Sequence, residues 1–177
     1  NVGVSGGGTN IFCGHDNVQG ATDVGPNPDS LPGYYGLAEG SWKHFAKTWG
    51  VDFDWIKGRY ASPAMMGKPG ITVSRWIDGV MEKNEFIDQD SNLRGVVFWG
   101  HAPNSQTRGL EMKRAMDKLD LLVVIDPYPS ATAAMAAMPG KAEDLNPNRA
   151  VYLLPAATQF ETSGSVTASN RSLQWRE

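Results

Sequence analysis

Residues 9–20 read TNIFCGHDNVQG and crowd a cysteine, a histidine, an aspartate, two asparagines and a glutamine around Gly14. The run has neither a helical nor a strand-like period. Buried polar groups need partners, so such a cluster is either solvated or built to hold a ligand. Cys13 has the type of a nucleophile or metal ligand, although a free cysteine also serves as a small buried hydrophobe. His15 has the type of an acid–base group, although a single histidine also serves structure. Neither a Ser-His-Asp order, a paired carboxylate nor a metal-site Cys/His spacing accompanies them.

A second group of polar residues follows apolar runs. GHAPNSQT, from Gly100 to Thr107, comes after VVFW, and Asp126 ends LLVVID. In an open parallel sheet, ligands bind beyond the carboxyl ends of the strands. An acid ending a strand can grip a ribose or a base, and a carboxylate can accept the two parallel N–H bonds that a guanine edge offers. These two loops therefore point to a nucleotide, or a cofactor carrying one. The plain alternatives are a turn-forming Asp126 before Pro127, and a solvated loop for Asn104 and Gln106. No GxGxxG and no P-loop lysine motif is present, so an ordinary NAD or ATP site is not expected. The tail carries Glu161, Gly164 and Arg171. Glu161, or the forked donors of Arg171, suit an anion or a polar ring, and equally a surface ion pair. Asn170-Arg171-Ser172 also fits the glycosylation sequon.

Those loops need elements to hold them. Trp42, Phe45 and Trp49 fall at i, i+3 and i+7, which predicts an amphipathic helix closed by Gly50. Ser74 has the type of an N-cap for WIDGVMEK, with Trp76, Ile77, Val80 and Met81 on its apolar side. PNPDSLPGYYG predicts an ordered but irregular loop. From residue 93 onward a pattern of strand, helix, strand emerges. LRGVVFWG reads as a buried strand. RGLEMKRAMDKL reads as a helix with Met112, Ala115, Met116 and Leu119 on one stripe. LDLLVVIDPYP is a second strand, ATAAMAAMPG a short helix stopped by Pro139-Gly140, and RAVYLLPA a third strand. This order means crossover connections and parallel pairing. The near-continuous apolar strands predict a sheet covered on both faces. The expected fold class is α/β, Rossmann-like and doubly wound, with a mainly parallel sheet. Residues 1–35 form an irregular loop region, and residues 36–177 form the α/β domain.

The chain has 177 residues, enough for a real core, a net charge of −3 and one cysteine. There is no basic stripe, which gives no case for nucleic acid as a partner. An internal disulfide is impossible. No apolar run approaches membrane-spanning length, and the opening residues do not read as a signal peptide.

Taken together, NIFxGHDNVQGATDxG, LPxYYGLxEGxWKHF, VSRWIDGV, VVFWGHAPNSQTR, KLDLLVVIDPYP and YLLPAATQFETSGSVTASNRSLQW resemble the catalytic (alpha) subunit of formate dehydrogenase. The similarity is to the respiratory formate dehydrogenase-N type, in the molybdopterin oxidoreductase (DMSO reductase) superfamily, and runs from Gly6 to Glu177. The resemblance implies a middle slice of a longer subunit, largely one α/β domain that holds a bis(molybdopterin guanine dinucleotide) cofactor with molybdenum or tungsten. It implies formate as substrate, oxidised to carbon dioxide, with electrons passed to iron–sulfur clusters. The cysteines for a [4Fe-4S] cluster and the Cys or selenocysteine at the metal would lie upstream, so no metal ligand is expected in this segment, and the segment alone would be inactive. The implied partners are an iron–sulfur electron-transfer subunit and a membrane cytochrome subunit, and the implied location is periplasmic.

The resemblance also transfers roles. Cys13-Gly14-His15 matches the family's Arg-Gly-His or Arg-Gly-Gln active-site loop, with His15 close to the catalytic pocket. Asn17 and Gln19 continue that loop. Gly100, His101, Asn104, Gln106 and Thr107 match a loop that contacts the dinucleotide. Asp126 matches the acid facing the guanine, and Glu161 and Gly164 match a turn near the cofactor. One departure stands out: Cys13 occupies the place of the family's arginine, which offers a permanent charge and a fixed fork of donors to a carboxylate. Two other readings remain open, a fragment of a sister enzyme such as a nitrate reductase, and a freestanding nucleotide- or cofactor-binding module without catalysis.

Overall fold

The computed structural model describes residues 15–89, 91–103, 108–138, 140–143 and 145–177. In chain order the helices are α1 (Val18–Val24), α2 (Glu39–Trp49), α3 (Phe53–Lys57), α4 (Trp76–Met81), α5 (Asn84–Ile87), α6 (Gly109–Lys118) and α7 (Ala131–Ala137). The strands are β1 (Gly95–Trp99), β2 (Leu121–Asp126), β3 (Ala150–Pro155), β4 (Gly164–Thr167) and β5 (Leu173–Arg176). Contacts divide the chain into two units, Asn1–Gly70 with Thr162–Glu177, and Ile71–Glu161. The sequence reading drew its line between residues 35 and 36.

The second unit is α/β. β1, β2 and β3 form a parallel sheet in that order, with Phe98 opposite Val124 and Asp126 opposite Pro155. The predicted stripe on α6 is buried as Met112, Ala115 and Met116, and Leu119 just past the helix end joins it. These side chains pack with Phe98, Leu122 and Val124 from the sheet and with Ala133 and Ala136 from α7. α7 begins at Ser130, whose hydroxyl accepts the Ala133 N–H at 3.3 Å, satisfying one of the free donors of the first turn.

Strands in sequential order joined by crossovers of one hand carry α6 and α7 to the same face of the sheet. The other face of this unit is left open: Val97, Trp99, Tyr152 and Leu154 are exposed, Trp99 by 77%. The expectation of a sheet covered on both faces is thus met on one face among the described residues.

Ser74 does not cap α4. The chain enters through a 3-10 turn, Val73–Arg75, so Arg75 takes the cap position without a side-chain capping bond, and Ser74 Oγ lies 3.3 Å from Thr72 Oγ1. The apolar side of α4 is as expected, with Trp76 and Ile77 buried and Val80 and Met81 packed at the edge of the core. Asp78 anchors α4 to the start of α6 through Arg108 Nη1 at 2.7 Å.

The first unit has its own core of Leu31, Trp42, Phe45, Ala46, Ile56 and Met66. Trp42 buries its ring because its indole N–H donates to the Met66 carbonyl at 2.9 Å. Gly50 closes α2 in the left-handed conformation (φ 69°) and donates its N–H to the Lys47 carbonyl. Trp49 departs from the predicted stripe: it lies in the last turn, with its ring 5.1 Å from Phe45, and is 49% exposed. The proline-rich loop is ordered around a 3-10 turn, Pro32–Tyr34, closed by Leu31 N–H to Tyr35 C=O at 2.7 Å. β4 and β5 form an antiparallel hairpin, Gly164 opposite Arg176 and Thr167 opposite Leu173; the sequence reading had only a turn-rich tail there.

Candidate functional site

The candidate residues fall in both units, and each group is described within its own unit. In the α/β unit, Gly100, His101 and Asp126 meet at the carboxyl ends of the strands. Gly100 turns the chain out of β1 with φ 60°, a conformation that favours glycine, while its N–H still donates to Ile125 C=O at 2.8 Å. This bond extends the β1–β2 pairing and sets the start of the loop beside Asp126. His101 follows with its ring 6.4 Å from Phe98. Its Nε2 is buried and has no hydrogen-bond partner among the described residues. Asn104, Gln106 and Thr107 lie outside the described residues.

Asp126 performs the turn role that the Asp-Pro sequence allows: Oδ1 accepts the Tyr128 N–H at 3.1 Å. That bond presents Tyr128, largely exposed, at the mouth of a cleft of about 240 Å³. Val124, Asp126, Tyr128, Pro129, Leu153 and Pro155 line it. An acceptor, an aromatic ring and apolar walls around a slot are the chemistry of a planar, polar-edged ring. Glu161 is spent locally. Its carboxylate accepts both the N–H and the hydroxyl of Thr158 at 2.8 Å, and these bonds hold its pKa below the usual carboxylate value.

In the first unit, Asn17, Gln19 and the hairpin that begins at Gly164 come together. Asn17 stands at the N-cap position of α1 yet makes no capping bond; its Oδ1 accepts the Thr167 N–H at 2.9 Å. Gln19 Nε2 donates to the Ser169 carbonyl at 3.3 Å, and its Oε1 is buried without a partner among the described residues. Asp23 accepts from Arg171 Nη1 at 2.9 Å and from the Tyr34 hydroxyl at 2.5 Å. The bond to Asp23 raises the Tyr34 pKa above that of a free phenol, and the Asp23 charge raises that of Arg171. Arg171 is therefore an ion-pair member, one of the two roles the sequence allowed. His15 lies exposed in the turn before α1, while Cys13 and Gly14 lie outside the described residues.

Sequence reasoning missed Tyr128, Thr167 and Ser169. Tyr128 follows directly from Asp126-Pro127, a signal that was available. Thr167 and Ser169 act through backbone atoms, which residue type does not advertise. Among the described residues no cluster of three or more His, Cys, Asp or Glu could hold a metal ion. No described helix is long and apolar enough to cross a membrane.

No family model matches the chain. It is similar to the formate dehydrogenase subunit alpha of Megalodesulfovibrio gigas, 29% identical over 99% of this chain and 20% of the relative. It is 30% identical to formate dehydrogenase 2 subunit alpha (cytochrome c-553) of Nitratidesulfovibrio vulgaris, over the same shares. It is 27% identical to the F420-dependent formate dehydrogenase subunit alpha of Methanocaldococcus jannaschii, over 98% of this chain and 21% of the relative. The chain is thus similar, nearly end to end, to formate dehydrogenase alpha subunits, and spans about a fifth of the length of these curated relatives.

Proposed function

We propose that this chain is part of a formate dehydrogenase catalytic subunit that oxidises formate to carbon dioxide. The observation that carries the reading is the similarity to formate dehydrogenase alpha subunits over 98–99% of the chain. The proposed cofactor is bis(molybdopterin guanine dinucleotide) with molybdenum or tungsten. When bound, that group supplies a two-electron redox centre.

The residues present fit such a group. Pterin and guanine both offer an amino-pyrimidinone edge rich in N–H donors. Each unit offers acceptors of its own for such an edge: the Asp126 carboxylate and the orphaned His101 Nε2 in the α/β unit, and the orphaned Gln19 Oε1 in the first unit. Buried polar atoms without partners call for an explanation, and a bound ligand is one. Asp126 and the Tyr128 ring would hold a guanine at the strand ends. Gly100 would let the backbone approach it closely. Gln19 would hold a ring of the cofactor beside the 13–19 loop. His15 would take up the proton that formate releases as it becomes carbon dioxide and gives up two electrons.

The electrons would pass to a [4Fe-4S] cluster in the same subunit, then to an iron–sulfur partner subunit and a membrane cytochrome subunit, at a periplasmic site. The test is purification of the full-length protein under anaerobic conditions. Formate-dependent reduction of a viologen dye, together with release of a guanine nucleotide on denaturation, is the expected result. Release of guanine nucleotide without formate turnover in both the unaltered protein and Cys13→Arg would favour a sister oxidoreductase, and absence of both signals would overturn the reading.

A further inference from the structure

Gln19 and the β4–β5 hairpin form an arrangement that local folding does not require. Asn17 and Gln19 reach across 150 residues of sequence to Thr167 N–H and Ser169 C=O. Gly20 makes this approach possible: a Cβ there would sit 2.2 Å from Asn17 Oδ1 and 3.0 Å from Thr167 Oγ1. Arg171, in the loop that joins β4 to β5, pairs with Asp23 near the end of α1. The hairpin therefore grips the 17–23 segment at three points.

The grip fixes the sense of the Gln19 amide. The Ser169 atom that Gln19 meets is the carbonyl oxygen, an acceptor, so the NH₂ group faces it. The amide oxygen then points the other way, where it is buried and unpaired. A buried acceptor held in one orientation without a donor is costly unless a ligand supplies one. A carboxylate, which only accepts, would be repelled there, whereas a donor such as an N–H edge fits a lone carbonyl.

We propose that Gln19 Oε1 is the acceptor for an N–H of an amino-pyrimidinone ring, and that Ser169, Thr167 and Asn17 are positioning residues that aim it. The proposal rests on the cofactor reading above. Pterin and guanine share this edge, and the test separates them.

The test uses the full-length subunit purified with its cofactor. Gln19→Leu removes the acceptor, and Gly20→Ala displaces Asn17 from Thr167 without touching Gln19. The readout is the rate at which protein loses bound guanine nucleotide and pterin during gel filtration. About tenfold faster loss is expected for each variant, the size of one ligand hydrogen bond left unmade. Unchanged loss in Gln19→Leu overturns the proposal, and unchanged loss in Gly20→Ala overturns the positioning role. Where Gln19→Leu gives no soluble protein, Gln19→Glu decides, because two acceptors face each other at Ser169 and the side chain must turn away. Retention like that of the unaltered protein would then overturn the proposal. GMP titration of the cofactor-free subunit identifies the ring: weaker GMP binding by the variant assigns the guanine, and equal GMP binding with faster cofactor loss assigns the pterin. If the unaltered protein releases neither pterin nor guanine, the cofactor reading itself fails, which is a different result.

Discussion

Arg149 Nη1 donates to Asp117 Oδ1 at 2.6 Å, with the two side chains 11% and 1% exposed. Lys113 also pairs with Asp117. Arg149 Nη2 donates to Ala136 C=O at 3.2 Å, and Asn146 N–H donates to Asp117 C=O at 2.8 Å. The Asp117–Arg149 pair, with the Asp117 backbone carbonyl, thus ties the end of α6, the end of α7 and the approach to β3. Gly140 packs against the Asp117 carboxylate so closely that a Cβ would lie 1.6 Å from Oδ2.

Breaking a buried pair by removing one partner leaves an uncompensated charge, at a cost of about 3–5 kcal/mol. Asp117→Ala is expected to destabilise the α/β unit by that amount, read as a lower urea midpoint. Replacing Asp117 and Arg149 together by apolar residues should cost less than Asp117→Ala alone. A double variant worse than the single one would contradict this account.

Asp78 gives the α/β unit an acid-sensitive joint. Burial raises its pKa, but hydrogen bonds from Arg108 and Arg75 outweigh burial and leave it below the ordinary carboxylate value. The facing groups are Arg75 and Arg108, which also pair with Glu82 and Glu111 respectively. A carboxyl depressed in the folded state binds fewer protons than in the unfolded one. It therefore contributes stability above the unfolded pKa, and this is lost as pH falls through the folded pKa. Asp78→Asn should lower stability at neutral pH and flatten the acid limb of the stability curve. An acid limb as steep as that of the unaltered protein would assign acid sensitivity elsewhere.

The elements legible in the sequence are those whose signal is local. The Met112–Met116 stripe and the LLVVID run carry their own periods, and parallel topology then placed Gly100 and Asp126 together at the carboxyl ends of the strands. Ser74 misled because residue type cannot tell a cap from an interior position of a 3-10 turn. The hairpin from Gly164 and its bonds to Asn17 and Gln19 were illegible for another reason: they join backbone atoms of one segment to side chains 150 residues away. Gly140 read as a helix stop, but what requires glycine there is the Asp117 carboxylate. Why α1 should be held to a hairpin while the sheet face at Trp99 stays open was likewise invisible to local pattern.

Cys13 stands where the resemblance places an arginine that receives formate. A thiol offers formate neither a permanent charge nor a fork of donors. Charge-assisted hydrogen bonds of this kind contribute roughly 1.5–3 kcal/mol. In the full-length enzyme, Cys13→Arg should therefore raise kcat/KM for formate by about 10–100-fold, with cofactor content unchanged. Equal formate kinetics in the two proteins would remove the carboxylate-steering role from this position.

Asp126 separates fold from ligand recognition. Its Oδ1 closes the turn to Tyr128, a bond that an asparagine oxygen can also accept. A carboxylate can in addition accept the paired N–H groups of a guanine edge, whereas an asparagine turns an N–H donor toward that edge. Asp126→Asn should thus keep the melting temperature and the Tyr128 turn, while the full-length protein loses its guanine nucleotide about 10–100-fold faster, the range set by a charge-assisted bond. Asp126→Ala removes turn and ligand contact together and should lower both stability and retention. Tyr128→Ala leaves the backbone bond in place and removes only the ring at the cleft, so its effect should be confined to nucleotide retention. Nucleotide loss unchanged in Asp126→Asn, with stability lowered in Asp126→Ala, would mean that Asp126 serves the turn alone and that the base is held elsewhere.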